Sequence, residues 1–272
     1  MAEAFKNIRQ LYKPMQPTVK SAGESVSYVE CLPGEFLRDY IYCYWQLKTH
    51  QPLLQPFSYR VVADGCIDIF FEPGNPDESF VMGFCKEYTE FPLEHSFNYV
   101  GIRFLPTMFP QLFNVDASEI SNRAAYLRSV IPAVFESFSN AFNSQQGLSD
   151  IKVFLDRYLS ECIVNVQFNN DHRLYDAIAL ILKNQGAINI ESGLQTGISP
   201  RQLRRLFQFY IGDSAKTFSK VVRFQNILKA KPSVQSLRNN KLFFDAGYYD
   251  QTHFIKEFKN FYGVTPTKAF GR

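Results

Sequence analysis

Two sets of cationic and amide side chains stand out in the last third of this chain, because their residue types are suited to binding a polyanion. The first set is Arg201, Gln202, Arg204 and Arg205, and the second is Gln251, Thr252 and Lys256. A guanidinium group offers parallel N–H donors that match a phosphate or the edge of guanine, and a glutamine amide matches the edge of adenine. These residue types favour binding to nucleic acid.

The first set lies on a segment whose pattern predicts an amphipathic helix. Ser199 is a good N-cap, and Pro200 suits the first helical position, where a backbone N–H would have no partner. Apolar residues then recur at the spacing of a buried helical stripe. They are Leu203, Leu206, Phe207 and Tyr210. Because this stripe takes one side of the helix, the four polar residues are expected largely on the opposite side.

The second set belongs to a copy of the same unit, 51 positions later. Asp250 is its predicted N-cap, and its apolar stripe consists of Phe254, Phe258, Phe261 and Tyr262. A shorter predicted helix precedes each copy and stops at Gly197 or Gly247, since glycine readily adopts the left-handed backbone that ends a helix. Each unit is therefore predicted to be a helix-turn-helix, which holds its second helix in the major groove of DNA.

Five spaced motifs run through residues 171–271. They are S-P-R-x-L-x-R-x-F from Ser199, G-x-S-x-x-x-F from Gly212, R-F-Q from Arg223, G-Y-x-D-Q-x-H-F-x-x-x-F-K from Gly247 and G-x-x-P from Gly263. Together they resemble the DNA-binding domain of AraC-type transcription regulators. The resemblance implies seven helices, with two recognition helices in successive major-groove segments about 34 Å apart. It places the base-contacting positions of the family on Arg201, Arg204, Arg205, Gln251, Thr252 and Lys256.

The chain departs from the family pattern at two informative positions. Phe243 stands where the first helix of the second unit usually carries alanine, so its ring has to be accommodated between two helices. Lys256 stands where arginine is usual. Lysine keeps the charge but lacks the planar fork that binds guanine bidentately. Base discrimination is therefore expected to depend mainly on the first unit.

Charge divides the chain into two parts. Residues 171–272 contain 16 Lys and Arg against 7 Asp and Glu, a formal charge of +9, whereas residues 1–170 contain 13 against 19, a charge of −6. A basic module joined to an acidic one is typical of a nucleic-acid binder whose other domain stays away from DNA. We expect an α+β, two-domain chain, with a β-rich sensor or dimerisation domain over residues 1–165 and an all-α DNA-binding domain over residues 166–272.

Short aromatic and β-branched runs predict strands in the first 110 residues. They cover residues 40–47, 66–71, 80–85 and 99–104. Their spacing favours a small barrel or sandwich. Residues 64–71 and 100–104 are similar to the cupin-like sensor domain that precedes some AraC-type modules. A small-molecule effector would then bind in a pocket with aromatic walls, although such rings more often fill a core.

Helical structure is predicted from Thr107 onward, including residues 118–142. A further apolar stripe at helical spacing consists of Ile151, Phe154, Leu155, Tyr158, Leu159 and Cys162. In members of the family, helices at this place often pair two subunits. The stripe can therefore belong to a homodimer contact or to the core of its own chain. Residues 164–171 are predicted to be the linker.

The sequence predicts no catalytic residue, cofactor or metal site. Asp64 and Asp68 would share one face of a strand, but the alternation alone does not make that face a pocket. The five cysteines lack a C-x-x-C pair, so reduced thiols are expected. The chain lacks an apolar run of membrane-spanning length and a secretory signal, which predicts a cytoplasmic location without membrane partners.

These patterns favour a sequence-specific, double-stranded DNA-binding transcription regulator over an enzyme. RNA polymerase and a second copy of the chain are candidate protein partners. The alternative is a ligand-binding or adaptor protein whose helical module no longer binds DNA specifically, and Phe243 is the reason to consider it. The salt dependence of binding to random duplex DNA separates the two hypotheses.

Overall fold

The computed structural model describes residues 7–17, 25–169, 171–194, 196–233, 235, 243–244 and 246–271. The strands found there are β1 (Val26–Cys31), β2 (Ile41–Thr49), β3 (Phe57–Val61), β4 (Ile67–Glu72), β5 (Asn75–Met82), β6 (Thr89–Leu93), β7 (Asn98–Phe104) and β8 (Ala124–Tyr126). The α-helices are α1 (Ile8–Leu11), α2 (Met108–Phe113), α3 (Leu127–Val130), α4 (Pro132–Ala141), α5 (Leu148–Val164), α6 (His172–Lys183), α7 (Ile190–Gly193), α8 (Pro200–Ile211), α9 (Ala215–Ala230), α10 (Gln251–Tyr262) and α11 (Pro266–Phe270). The N-terminal half is β-rich and the C-terminal half is helical, as the sequence predicts.

Two antiparallel sheets form the N-terminal half. Six strands make the larger sheet in the order β1-β2-β7-β4-β5-β8, and β3 pairs with β6 in a smaller one. Because side chains alternate along a strand, the larger sheet has two faces. One face carries Trp45 and Phe70, which pack together with Tyr59 of the smaller sheet. The opposite face carries Phe71 and Ile102, which belong to the main core.

Helices cover this second face of the larger sheet. Phe71 stacks on Phe142, just after α4, with ring centroids 4.8 Å apart. In α5, Asp156 accepts a hydrogen bond of 2.9 Å from the Tyr44 hydroxyl of β2. The neighbouring Leu155 is completely buried within the chain. Of the two interpretations of the α5 stripe, packing on the chain's own sheet is therefore the one observed.

The prediction of helix over residues 118–142 is wrong in its first half. A 3-10 turn at Ala117–Glu119 is followed by the edge strand β8, and helix begins only with α3. Ala125 lies opposite Val81 of β5 in this pairing. An unpaired strand edge exposes backbone N–H and C=O groups. Pairing with that edge outweighs the local helix propensity of the segment.

Helices α8 and α10 begin at the predicted caps and end at the predicted glycines, Gly212 and Gly263, whereas the short helix α7 ends at Gly193, four residues before the predicted stop at Gly197. The Ser199 hydroxyl accepts a hydrogen bond from the backbone N–H of Gln202 at 3.2 Å, which caps α8. The Asp250 carboxylate accepts one from the backbone N–H of His253 at 2.7 Å, which caps α10. The first helix of the second unit, predicted over residues 236–246, lies outside the described residues except at 243, 244 and 246.

Helix α9 connects the two units and packs on both. Its Phe218 lies against Phe207 of α8, with centroids 6.2 Å apart. Its Phe224 makes an edge-to-face contact with Phe258 of α10 at 5.4 Å. These contacts place the two predicted recognition helices on one shared support.

Contacts between the two halves of the chain are extensive. The ring of Phe218 lies 6.3 Å from that of Tyr12, and both belong to the main hydrophobic core. The side chain of Gln225 in α9 accepts a hydrogen bond from the backbone of Met15 and donates one to that of Ala63, both at 2.7 Å. The described core is thus continuous across residue 165, and the domain boundary there stays a prediction. Among the described helices, none is long and apolar enough to cross a membrane.

Candidate nucleic-acid interface

The first half of α8 presents the predicted polar side chains to solvent. Arg201, Gln202, Arg204 and Arg205 are all exposed. In the described part of the chain, none of these four side chains forms a hydrogen bond or an ion pair. On the opposite side, Leu203 and Phe207 are buried. The amphipathic pattern of this helix is confirmed, and its donors are free to meet a ligand.

Helix α10 repeats this arrangement. Gln251, Thr252 and Lys256 are exposed, and their side chains are likewise without a hydrogen bond or ion pair among the described residues. Its buried stripe is Phe254, Phe258 and Phe261. The structure therefore brings each predicted set of contact residues together on the first turns of its own helix.

The opposite ends of both helices are attached to the N-terminal half. An added Cβ on Gly212, which ends α8, would lie only 3.0 Å from the carbonyl oxygen of Ala117. Asn260 lies near the end of α10. Its backbone carbonyl accepts a hydrogen bond of 3.0 Å from the backbone N–H of Tyr88, and its side-chain amide donates one of 2.9 Å to the backbone carbonyl of Lys86. The C-terminal ends are held, whereas the N-terminal halves stay accessible.

A buried carboxylate braces α10 against α9. Glu257 accepts a hydrogen bond of 2.6 Å from Arg223, and its second oxygen lies 3.2 Å from the Lys220 ammonium and 3.7 Å from the His253 ring. The guanidinium of Arg223 also lies over the ring of Tyr248 at 4.0 Å. Charge-assisted hydrogen bonds are stronger than neutral ones. The contacts of Glu257 therefore hold α10 in a defined orientation on α9, and with it the direction in which the exposed side chains of α10 point.

Models of two known families match parts of the chain. Residues 194–272 match the family described as a helix-turn-helix domain, and residues 29–125 match a domain of unknown function, DUF6597. The first match covers both predicted recognition helices. The C-terminal part of this chain is an AraC-type helix-turn-helix domain.

Solved structures of ToxT from Vibrio cholerae are similar to this chain at a low level. ToxT from strain O395 is 11% identical with a TM-score of 0.42, and the comparison covers 91% of this chain and 98% of that one. A second ToxT structure is 12% identical with a TM-score of 0.39, covering 90% and 97%. Similarity at this level carries no information on function. No curated protein matches the chain.

Phe243 is accommodated inside the AraC-type domain. Its side chain is buried, and its ring is nearly parallel to that of Phe254 in α10, with centroids 6.2 Å apart. Phe254 in turn meets Tyr248 edge to face at 5.2 Å. The ring that replaces the usual alanine thus contributes to the aromatic packing beneath α10.

A cavity of about 190 Å³ lies between the two sheets of the N-terminal half. Six aromatic residues are among those that line it: Trp45, Tyr59, Phe70, Phe80, Phe91 and Tyr99. Gly101 of β7 makes room for Trp45, because a Cβ on this residue would lie 2.1 Å from the indole Cε2. The predicted aromatic pocket is therefore present, although no local pattern predicts how its rings meet.

Charged residues form the polar part of the cavity lining. Arg103 binds the Asp68 carboxylate through two hydrogen bonds of 3.0 and 3.2 Å, and its Nε lies 3.3 Å from Asp64. The Trp45 indole donates a further 2.9 Å bond to Asp68. Burial raises the pKa of Asp68 to about 6, although Arg103 opposes this change. Asp64 and Asp68 thus act as partners of a buried arginine.

The segment of residues 62–66, between β3 and β4, joins the cavity to the AraC-type domain. Its Asp64 lines the cavity. Its Ala63 donates a backbone hydrogen bond of 3.2 Å to the carbonyl of Phe261 in α10, besides the bond from Gln225 described above. An added Cβ on Gly65 would lie 3.3 Å from the Phe218 ring of α9. We call residues 62–66 the shared segment.

Two features of the site were missed by sequence reasoning. Glu257 follows the predicted contact residue Lys256. It also lies three residues after Phe254, so it falls on the buried stripe of the helix. That spacing was the available signal for a buried carboxylate. Arg103 lies within the predicted strand of residues 99–104, and its pairing with Asp68 depends on the order of β7 and β4 in the sheet. Strand order cannot be inferred from the spacing of short apolar runs.

Proposed function

We propose that this chain is a sequence-specific, double-stranded DNA-binding transcription regulator. Helices α8 and α10 enter successive major-groove segments, and a small ligand in the N-terminal cavity controls the activity. The observation that carries the proposal is the exposure of the two sets of donors on the first halves of these helices, with no partner among the described residues. The AraC-type domain supports DNA binding in general.

The charge distribution supports the same proposal. The formal charge of +9 on residues 171–272 attracts DNA, whereas the −6 on residues 1–170 keeps the rest of the molecule away from it. The proposal divides the chain at residues 165 and 166 and assumes a cytoplasmic location. It includes RNA polymerase and a second copy of the chain as protein partners.

Binding of the full chain to a random DNA duplex should weaken steeply as salt is added. Each phosphate neutralised adds about 0.9 to the slope of log affinity against log salt, so contacts to about six phosphates give a slope near −5. Fluorescence anisotropy of a labelled duplex measures this slope. A slope near zero would contradict DNA binding. Selection of bound sequences from a random duplex pool then gives the site and its length.

Replacing Arg205 with alanine should weaken binding to the selected site by about 1–3 kcal/mol and relax specificity at one base pair. The reason is the loss of a bidentate contact to a base edge. Competition between the selected site and single-base variants measures both effects. Arg157→Ala in α5, which removes an exposed arginine from the N-terminal half, is the matched control. An equal loss on selected and random DNA would instead make Arg205 a phosphate contact.

The packing of Phe243 supports this proposal over the alternative of a ligand-binding or adaptor protein whose helical module no longer binds DNA specifically. That alternative was raised by the ring at position 243, which the structure places in a packed aromatic contact with α10. In the described residues, no other feature of the AraC-type domain closes the exposed faces of α8 and α10 to a ligand.

A further inference from the structure

The carboxylates and the arginine of the N-terminal cavity differ in the exposed fraction of their side chains. The side chains of Asp64 and Asp68 are 10% and 12% exposed, whereas that of Arg103 is 2% exposed. Both acids and Arg103 line the cavity. The guanidinium is therefore almost fully buried, although its Nη1 has no hydrogen-bond partner among the described residues, whereas both carboxylates keep some exposed surface.

The charges of this cluster do not balance. Arg103 supplies one positive charge against the two carboxylates of Asp64 and Asp68. A third acid, Glu30, lies 3.6 Å from the guanidinium, and Glu78 lines the cavity as well. Burial is the main cause of the raised pKa of Asp68, and the neighbouring Asp64 carboxylate raises it further. An added cation would relieve the surplus, whereas an added anion would increase it.

The walls of the cavity favour an organic cation over a metal ion. Six aromatic rings line the same cavity as the carboxylates, and a cation over an aromatic face is attracted by the ring quadrupole. The volume of about 190 Å³ exceeds the roughly 150 Å³ of a cavity that binds benzene in another protein. This volume limits the ligand to about one aromatic ring that carries a short arm with an amine group.

We propose that the cavity between the two sheets binds a small organic amine, with its apolar body against the aromatic walls and its ammonium group facing Asp64 and Asp68. This proposal rests on the proposed function, because such an amine would be the small ligand that controls DNA binding. It deepens that function by giving the chemical class of the ligand.

Trp45 provides a site-specific signal, because it is the one tryptophan of the chain and lines the cavity. Three probes of one size separate the charge classes: benzylamine, benzyl alcohol and benzoate. We expect saturable quenching of Trp45 by benzylamine, with an affinity at least about tenfold above that of the other two. Equal or tighter binding of benzyl alcohol or benzoate, or no saturation by benzylamine, would overturn the proposal.

Variants of the full chain test the roles of charge and ring. Asp68→Asn should weaken benzylamine binding about tenfold and leave benzyl alcohol unchanged. Asp77→Asn, which removes the same charge from a side chain that is 74% exposed, should behave as wild type and is the matched control.

If Asp68→Asn fails to fold, Phe91→Leu provides a second test, because it removes an aromatic ring from the cavity lining without changing the charge. This variant should weaken the binding of benzylamine about fivefold. Unchanged benzylamine affinity in the folded variant would contradict the proposal.

The probe experiment contains no DNA. A chain that binds benzylamine but shows no salt-dependent DNA binding would refute the proposed function and leave the cavity assignment standing. A chain that binds DNA but prefers benzoate or benzyl alcohol would refute the amine and leave the proposed function standing.

Discussion

Substituting glutamate for Leu155 should unfold the N-terminal half of the chain rather than separate two subunits. Leu155 is completely buried in α5, in the core on the helical side of the larger sheet. Losing buried leucine contacts alone costs about 2–5 kcal/mol. A buried carboxylate without a partner adds a further penalty until it takes up a proton. Typical domains are stable by about 5–15 kcal/mol, so most of the folded population should be lost.

Urea unfolding followed by circular dichroism measures this effect. Val153→Glu is the matched control, because it introduces the same charge on the same helix at a position that is 71% exposed. It should unfold like the wild type. If Leu155→Glu instead kept its stability and only halved the mass seen by light scattering, the stripe would be a subunit contact and the packing described above would be wrong.

Substituting alanine for Glu257 should lower both the stability of the AraC-type domain and its affinity for DNA. Removing one partner of a buried ion pair costs about 3–5 kcal/mol, because the other charge stays buried. Here Arg223 is that charge, with a side chain only 11% exposed. Without the brace, α10 loses its fixed position against α9, so binding to the second half of the DNA site should weaken most.

The sign of the affinity change makes this test informative. Glu257→Ala removes a negative charge from a basic domain, which by itself strengthens attraction to DNA. A fall in affinity therefore has to come from geometry. Glu161→Ala in α5, an exposed acid in the N-terminal half, is the control, and thermal unfolding and duplex anisotropy are the readouts. Unchanged stability together with tighter DNA binding would show that Glu257 does not brace α10.

Helices α8 and α10 could be predicted because their signals are local. Ser199 and Asp250 cap the helices they precede, and the apolar spacing within each helix fixes its buried side. The duplication strengthens both predictions, since one unit supports the other. Strands β2, β4 and β7 were predicted for the same reason, as short aromatic or β-branched runs between turn residues, whereas the strand predicted over residues 80–85 overlaps β5 only at residues 80–82.

The features that were missed depend on contacts between distant residues. Residues 124–126 look helix-compatible and become a strand only because β5 offers them an open edge. The smaller sheet brings Phe91 edge to face with Phe70 at 6.0 Å, and no local pattern shows that β3 and β6 pair with each other rather than with the larger sheet. The stripe in α5 was left open between two packing partners, because amphipathic spacing shows that one side is buried but not by what.

The shared segment has a thermodynamic consequence. Asp64 borders the cavity, and its neighbour Ala63 is bonded to both α9 and α10. If filling the cavity shifts this backbone and changes DNA affinity by some factor, then bound DNA must change affinity for the occupant by the same factor. Promoters that hold α10 in different positions would then differ in the ligand concentration at which the regulator responds. A target sequence would in that way tune how sensitive its own regulator is to the signal.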